Sequence, residues 1–193
     1  LSLKELKPYL DGDKHGKVVG ITFDDGYQNN LLNAGPILTK YNFSATCYIV
    51  SGRIGQSNSW DLDNGITQRP LMTEYEIKEW LNLGMDIGAH TITHADLTNI
   101  SEEKAYKEIN DSKTQLEKKF NIKGTDFCYP FGRINESIYS MTKKSSFLTA
   151  TSMQRGRVNF QSDMYMLPRI PINYRTLPHL FLAKILTKYE DKK

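Results

Sequence analysis

Lys17-Val18-Val19-Gly20-Ile21-Thr22-Phe23 (KVVGITF) runs directly into Asp24-Asp25-Gly26. β-Branched and aromatic residues dominate this run and Asp-Gly closes it, so it predicts a buried strand followed by a turn. The same grammar recurs downstream. Ser44 to Val50 predicts a second buried strand, and Met85 to Ala89 a third that stops at His90. Thr125 to Tyr129 predicts a fourth strand that stops at Pro130-Phe131-Gly132, Phe147 to Thr151 a fifth, and Met164 to Ile172 a further extended segment.

Helical periods lie between these runs. Ser2 with Glu5 and Thr73 with Glu76 have capping-box spacing, and Pro8 is expected to strain the first helix. Asn30 to Tyr41 reads as a helix that Gly35-Pro36 threatens to break. Ser101 caps the clearest helix, whose apolar stripe is Ala105, Ile109, Leu116 and Phe120. Further helices are expected near Glu136 to Lys144 and from Thr176 to Tyr189. Strand and helix alternate at least four times, which predicts an α/β fold with a parallel sheet and crossover helices, either a barrel or a doubly wound sheet.

The 193 residues suffice for one hydrophobic core, so a single domain over 1–193 is expected. With 25 Lys+Arg against 22 Asp+Glu the net charge is +3, and no basic stripe interleaves with aromatics, which argues against a nucleic-acid partner. No stretch reaches the ~20 apolar residues of a membrane span; Leu177 to Leu186 comes nearest and is broken by His179 and Lys184. Cys47 and Cys128 are too few for a disulfide scaffold and read as small buried hydrophobes, a bridge requiring their strands to be neighbours. The chain begins at Leu1, not Met, which suggests a mature or trimmed form whose targeting segment is absent. Lys192-Lys193 is expected to be a solvated tail.

Polar residues gather at the carboxyl ends of the predicted strands, where both architectures put their chemistry. Asp24-Asp25 follows the first strand, and His90, with His94 four residues on, follows the third. A metalloprotease helix would need Glu where Thr91 stands, and Thr91-Ile92-Thr93 is a poor helix former. The segment therefore predicts a strand end and loop carrying two imidazoles. Taken singly, Asp-Gly is a common turn and two histidines can be unrelated. Taken together, two imidazoles and one carboxylate make a catalytic zinc-type ligand set, with a second carboxylate free to act as general base.

Thr22-Phe23-Asp24-Asp25-Gly26-Tyr27, His90-Thr91-Ile92-Thr93-His94 and Tyr129-Pro130-Phe131-Gly132 resemble, in order, the first three motifs of the polysaccharide deacetylases (the NodB-homology domain of carbohydrate esterase family 4). The resemblance spans about Leu1 to Ile172 and includes Leu167-Pro168-Arg169-Ile170. It implies a distorted, incompletely closed (β/α) barrel of about seven strands that removes N-acetyl groups from an amino-sugar polysaccharide outside the cell, in the periplasm or at the cell surface. It implies Asp24 as base, and Asp25, His90 and His94 as ligands of a divalent metal, usually Zn²⁺ and sometimes Co²⁺ or Ni²⁺. It also implies an oxyanion donor in the Phe131 N–H, and Tyr129 and Phe131 as groove-lining residues; packing of the barrel mouth is the alternative for these two. Oligomeric state does not follow from it.

Two departures stand out. Many members have an Arg near Cys128-Tyr129 that pairs with the base, and Arg169 is the candidate substitute here. The usual acid is a His in a late Leu-x-His motif, which Leu177-Pro178-His179 matches only superficially. The chain is more similar to the permuted subgroup that includes poly-N-acetylglucosamine deacetylases, where the acid His lies on a strand ahead of the first motif. That strand, and the acid, would then precede Leu1, and His15 is left as a loop residue. A non-catalytic metal- and carbohydrate-binding module and an O-acetyl esterase are the alternatives. Ser51 to Pro70 is long enough to be a functional loop, and its Trp60 would either stack on a sugar ring or pin the loop to the barrel; Trp80 reads as core.

Overall fold

The computed structural model describes residues 1–159 and 161–191, so the expected tail at Lys192-Lys193 lies outside the described residues. The order is α1 (Leu3–Leu10), β1 (Thr22–Phe23), α2 (Gly35–Lys40), β2 (Thr46–Ile49), α3 (Glu74–Asn82), β3 (Asp86–Ala89), α4 (Glu102–Phe120), β4 (Phe127–Cys128), α5 (Glu136–Lys144), β5 (Ala150–Arg155), β6 (Leu167–Arg169) and α6 (Pro178–Leu186). All neighbouring strands are parallel and lie in chain order, β1-β2-β3-β4-β5-β6. Each crossover thus moves the chain one strand onward in the same direction. That is the winding of a barrel wall, not of a doubly wound sheet. The sheet is a curled half-barrel, with six strands among the described residues where about seven were expected.

Strand residues alternate between two layers. Cys47 and Ile49 of β2 pack outward with Ile77 and Trp80 of α3 and with Ala105, Ile109 and Leu116 of α4. Tyr48 and Cys128 point the other way, into the barrel, where Leu3 and Leu6 of α1 join them. Tyr48 fills this interior and its hydroxyl accepts a hydrogen bond from the Thr151 hydroxyl at 3.0 Å. Gly88 on β3 makes room for it, since a Cβ there would lie 2.5 Å from the Tyr48 ring. Cys47 and Cys128 face different layers with β3 between their strands, and both are free thiols, which rules out the bridge.

Both capping boxes form, and Gly84 follows α3 with φ +82. Pro36 has no N–H to donate to the preceding turn, and the helix adapts with a π turn over Asn30–Ala34, in which the Gly35 N–H reaches the Asn30 carbonyl. Two expectations need correction. The buried strand Lys17 to Phe23 shrinks to the two residues of β1, and Val19 is 54% exposed. β1 is an edge with one ladder partner, and the Ile21 N–H donates to the Leu1 carbonyl instead of to a strand. The last helix is shorter than the expected Thr176 to Tyr189, running Pro178–Leu186, and Lys184 is its buried residue, bonded to Glu190 at 2.6 Å and to the Pro171 carbonyl at 2.8 Å, whereas Leu177, Leu182 and Leu186 are exposed. Among the described residues no helix is long and apolar enough to cross a membrane.

Candidate metal centre

β1 ends in a turn whose second and third residues, Asp25 and Gly26, have φ +71 and +79. Asp tolerates this left-handed region better than most residues, and at Gly26 a Cβ would meet the Ile49 side chain at 3.0 Å. The turn sends two consecutive carboxylates to different partners. Asp24 turns to Arg169 at the end of β6, whose guanidinium donates to both oxygens at 2.7 and 2.9 Å. Arg169 also donates to the Ser152 carbonyl at 3.0 Å and lies 3.4 Å from the Cys128 sulfur. Asp25 turns to the histidines: one of its oxygens lies 3.3 Å from Nε2 of His90 and 3.3 Å from Nε2 of His94.

His90 follows β3 and is buried. Its Nδ1 is 2.7 Å from the Cys128 carbonyl, which can only accept, so Nδ1 carries the proton and the other ring nitrogen faces Asp25. His94 reaches the same point through a strained loop rather than a helix turn. Thr91 (φ +65) and His94 (φ +61) are both left-handed, an outlier for a β-branched residue. The Thr91 hydroxyl donates to the His90 carbonyl at 2.6 Å and accepts the His94 N–H at 3.0 Å. Glu108 of α4 accepts the Ile92 and Thr93 N–H groups at 2.8 and 2.9 Å and the Thr93 hydroxyl at 2.7 Å.

Burial works against the charge of Asp25, yet its bonds to both imidazoles hold its pKa far below the usual carboxylate range. Burial pulls the pKa of His94 down. Two imidazole nitrogens aimed at one anionic oxygen, one of them with its other nitrogen already committed as a donor, form a pocket that calls for positive charge. The ligand atoms of Asp25, His90 and His94 lie within 4.8 Å of one another. Nitrogen, nitrogen and carboxylate oxygen suit a divalent cation such as zinc, so these residues fit the metal that the motifs imply. Asp24, His90 and Cys128 also lie within that span, but Arg169 already occupies both oxygens of Asp24.

The remaining expected residues separate. Phe131 (φ +57) is half-exposed and meets the His94 ring edge-on at 4.6 Å, with Arg133 over its own ring at 5.6 Å. Tyr129 is 1% exposed, packs on Phe127, and donates its hydroxyl to the Tyr165 carbonyl at 2.9 Å. It belongs to the core and lines no groove, which corrects its assignment to substrate. Trp60 lies parallel to the His94 ring at 4.5 Å, so that face is engaged by the protein rather than open to a sugar. His15 and His179 are both exposed, His179 in the first turn of α6. Sequence reasoning missed Glu108 and Thr91. Tyr27, the last residue of the first motif, lies beside Asp25, and burial with that carboxylate raises the pKa of its hydroxyl. Glu108 had no signal, being one of many acids on an exposed helix face.

The polysaccharide deacetylase family model matches residues 11–149. A Staphylococcus aureus poly-beta-1,6-N-acetyl-D-glucosamine N-deacetylase is 30% identical over 190 residues, covering 93% of this chain; the chain spans 63% of that enzyme's length. Among solved structures, the Streptococcus pyogenes deacetylase PplD in complex with acetate superposes with a TM-score of 0.81 at 27% identity, covering 96% of this chain and 78% of that one. A Bacillus cereus polysaccharide deacetylase, BC0361, gives 0.79 at 26% identity, covering 96% and 55%. The family match covers more than half of the chain and includes both the paired aspartates and the two histidines that meet at Asp25, and the chain belongs to the polysaccharide deacetylase family.

Proposed function

We propose that this domain is a metal-dependent hydrolase that removes N-acetyl groups from an N-acetylglucosamine-type polysaccharide of the bacterial envelope or exopolysaccharide. The carrying observation is the division of labour between two adjacent carboxylates: Asp25 is directed to two imidazoles, and Asp24 is held apart by Arg169. The staphylococcal relative's named substrate and the acetate bound to PplD support the same reading. An extracellular or cell-surface location goes with such a substrate.

Asp25, His90 and His94 would hold the cation, most suitably Zn²⁺, with Co²⁺ or Ni²⁺ as alternatives. When bound, it supplies Lewis acidity toward the acetamide carbonyl and a lowered pKa for water. Asp24 then takes a proton from the attacking water, and Arg169 keeps both of its oxygens in place. The Phe131 N–H, near the start of the short Pro130–Gly132 turn where no earlier carbonyl of the turn can accept it, is available to the developing oxyanion. Water loses one proton and the departing amine gains one, so the proton held by Asp24 closes the balance without a third histidine.

The test is acetate release from oligomers of β-1,6-linked N-acetylglucosamine, with an O-acetylated sugar in parallel. Asp24→Asn should lower release by about 10²–10⁴-fold while zinc still binds. Release from the ester alone would reassign the bond, and zinc binding without any release would leave a carbohydrate-binding module.

A further inference from the structure

The two histidines facing Asp25 are held by different means. The ring of His90 is fixed by its Nδ1–H bond to the Cys128 carbonyl, the usual device for orienting a metal-binding imidazole. His94 is 7% exposed, and its Nδ1 is buried without a hydrogen-bond partner among the described residues. Apart from the Nε2 contact with Asp25, no donor–acceptor contact among the described residues sets the rotation of that ring. Packing does. Trp60 lies nearly parallel to it, at 4.5 Å and 25°, while Phe131 closes at 4.6 Å and 74° and His90 at 4.8 Å and 69°.

Trp60 is itself rigidly presented. It sits in the Ser59–Asn64 turn, two residues after Asn58, which is fully buried. The Asn58 side chain accepts the Arg69 N–H at 2.7 Å and donates to Asp61 at 3.1 Å, and the Asn58 carbonyl accepts from Gln68 at 3.2 Å. Ser57 and Pro70 pair across the base of the same loop. The long connection between β2 and α3 is thus cross-braced around the residue that carries the indole to His94.

We infer that Trp60 is a positioning residue for the cation site: its indole replaces the missing hydrogen bond at Nδ1 and holds the His94 ring with Nε2 aimed at Asp25. The inference rests on the reading of Asp25, His90 and His94 as the cation ligands. It assigns the loop between β2 and α3 a part in building the site rather than in gripping sugar.

The experiment is a competition titration of the metal-stripped protein with Zn²⁺ against a chromophoric chelator, for wild type, His94→Ala, Trp60→Ala and Trp60→Phe, alongside kcat and KM on the acetylated oligomer. Trp60→Ala should bind Zn²⁺ about 10–100-fold more weakly, the usual cost of losing an outer-shell partner, and added Zn²⁺ should restore its kcat. Trp60→Phe keeps a flat ring against His94 and should stay within about threefold of wild type. A Trp60→Ala protein with wild-type Zn²⁺ affinity and a raised KM would overturn the inference and make Trp60 a sugar platform. The underlying reading fails separately, if wild type takes up no stoichiometric Zn²⁺ or if His94→Ala binds as wild type does.

Discussion

Glu108 lies outside every sequence motif, and its replacement by Ala should be felt at the cation site more than in the fold. Its carboxylate holds the backbone that separates the two histidines, through bonds of 2.8 and 2.9 Å from the Ile92 and Thr93 N–H groups and 2.7 Å from the Thr93 hydroxyl. Hydrogen bonds to a charged group contribute about 1.5–3 kcal/mol each when shielded. Only the Ile92 bond is partly buried, and the two at Thr93 are exposed, so the three together are worth roughly 2–3 kcal/mol. Opposing this, Thr91 and His94 are held at φ +65 and +61, at a cost of order 1–3 kcal/mol each that relaxation of the loop would return. At the low end of that range, about 2 kcal/mol for the pair, the two contributions nearly cancel for folding. Glu108→Ala, at an α4 position where Ala is a good helix former, should therefore lower global stability by under about 2 kcal/mol. It should weaken Zn²⁺ by about 10–100-fold, because a relaxed loop no longer brings His94 to Asp25. Glu108→Gln keeps one carbonyl acceptor and should fall between. Urea unfolding of the metal-stripped protein and Zn²⁺ competition titration read the two quantities. An unfolding midpoint that drops while Zn²⁺ affinity stays at the wild-type value would refute the reasoning.

Two further outcomes follow from other residues. Arg169→Met should reduce kcat/KM by about 10–100-fold with Zn²⁺ affinity unchanged, and Arg169→Lys should recover only part of it, since a compact ammonium lacks the planar fork that holds both oxygens of Asp24 while a third N–H reaches the Ser152 carbonyl; a fully active Lys variant would show that the bidentate contact is idle. Asp126 opens the segment that carries Cys128, is 3% exposed, and has a pKa pushed up to about 6 by burial, against the bonds it accepts from the Thr149 hydroxyl and backbone. A raised carboxyl pKa gives stability that is full below the unfolded value and is lost as pH rises through about 6. Asp126→Asn should consequently gain about 3 kcal/mol relative to wild type on going from pH 3.5 to 7.5, read by urea unfolding at both values, and an effect equal at both would contradict the buried charge.

What the sequence disclosed, and what it withheld, divides along the range of the interactions. Caps are local, so Ser2, Thr73 and Ser101 mark their helices correctly, whereas strand bounds depend on neighbours: β1 keeps only Thr22–Phe23 of its run, and β5 begins at Ala150, three residues into the expected Phe147 to Thr151. The motif residues Asp24, Asp25, His90 and His94 converge because a parallel barrel brings the carboxyl ends of its strands to one rim. Burial is not local. KVVGITF has the composition of a central strand but lies at an edge, a matter of neighbours and not of residues. In Phe127-Cys128-Tyr129 the composition cannot say which side faces inward. The structure turns Phe127 and Tyr129 toward the helices and Cys128 toward Arg169, and a shift of one residue would exchange them. Lys184 is buried and Leu186 exposed on α6 because Glu190 supplies an ion pair to the lysine, which no helical period encodes.

The turn after β1 explains why the site needs this barrel and not merely these residues. Two consecutive carboxylates that faced the same cation would both be neutralised, and no base would remain. The left-handed Asp25 sends its own carboxylate to the loops of β3, while Asp24, still in line with β1, reaches across the interior. Something positive must meet Asp24 there, and it comes from the far edge of the sheet. Among the described residues no ladder pairs β6 with β1, yet Arg169 spans the gap between them, donating to both oxygens of Asp24 and lying 3.4 Å from the Thr22 hydroxyl. The half-barrel is therefore drawn together at the rim that carries Asp24 and Asp25 by side chains where backbone pairing stops. The curvature that lets Arg169 arrive is the same curvature that keeps Asp24 apart from the Asp25–histidine cluster, so under the proposed mechanism loosening that edge should separate cation binding from hydrolysis before it unfolds the domain.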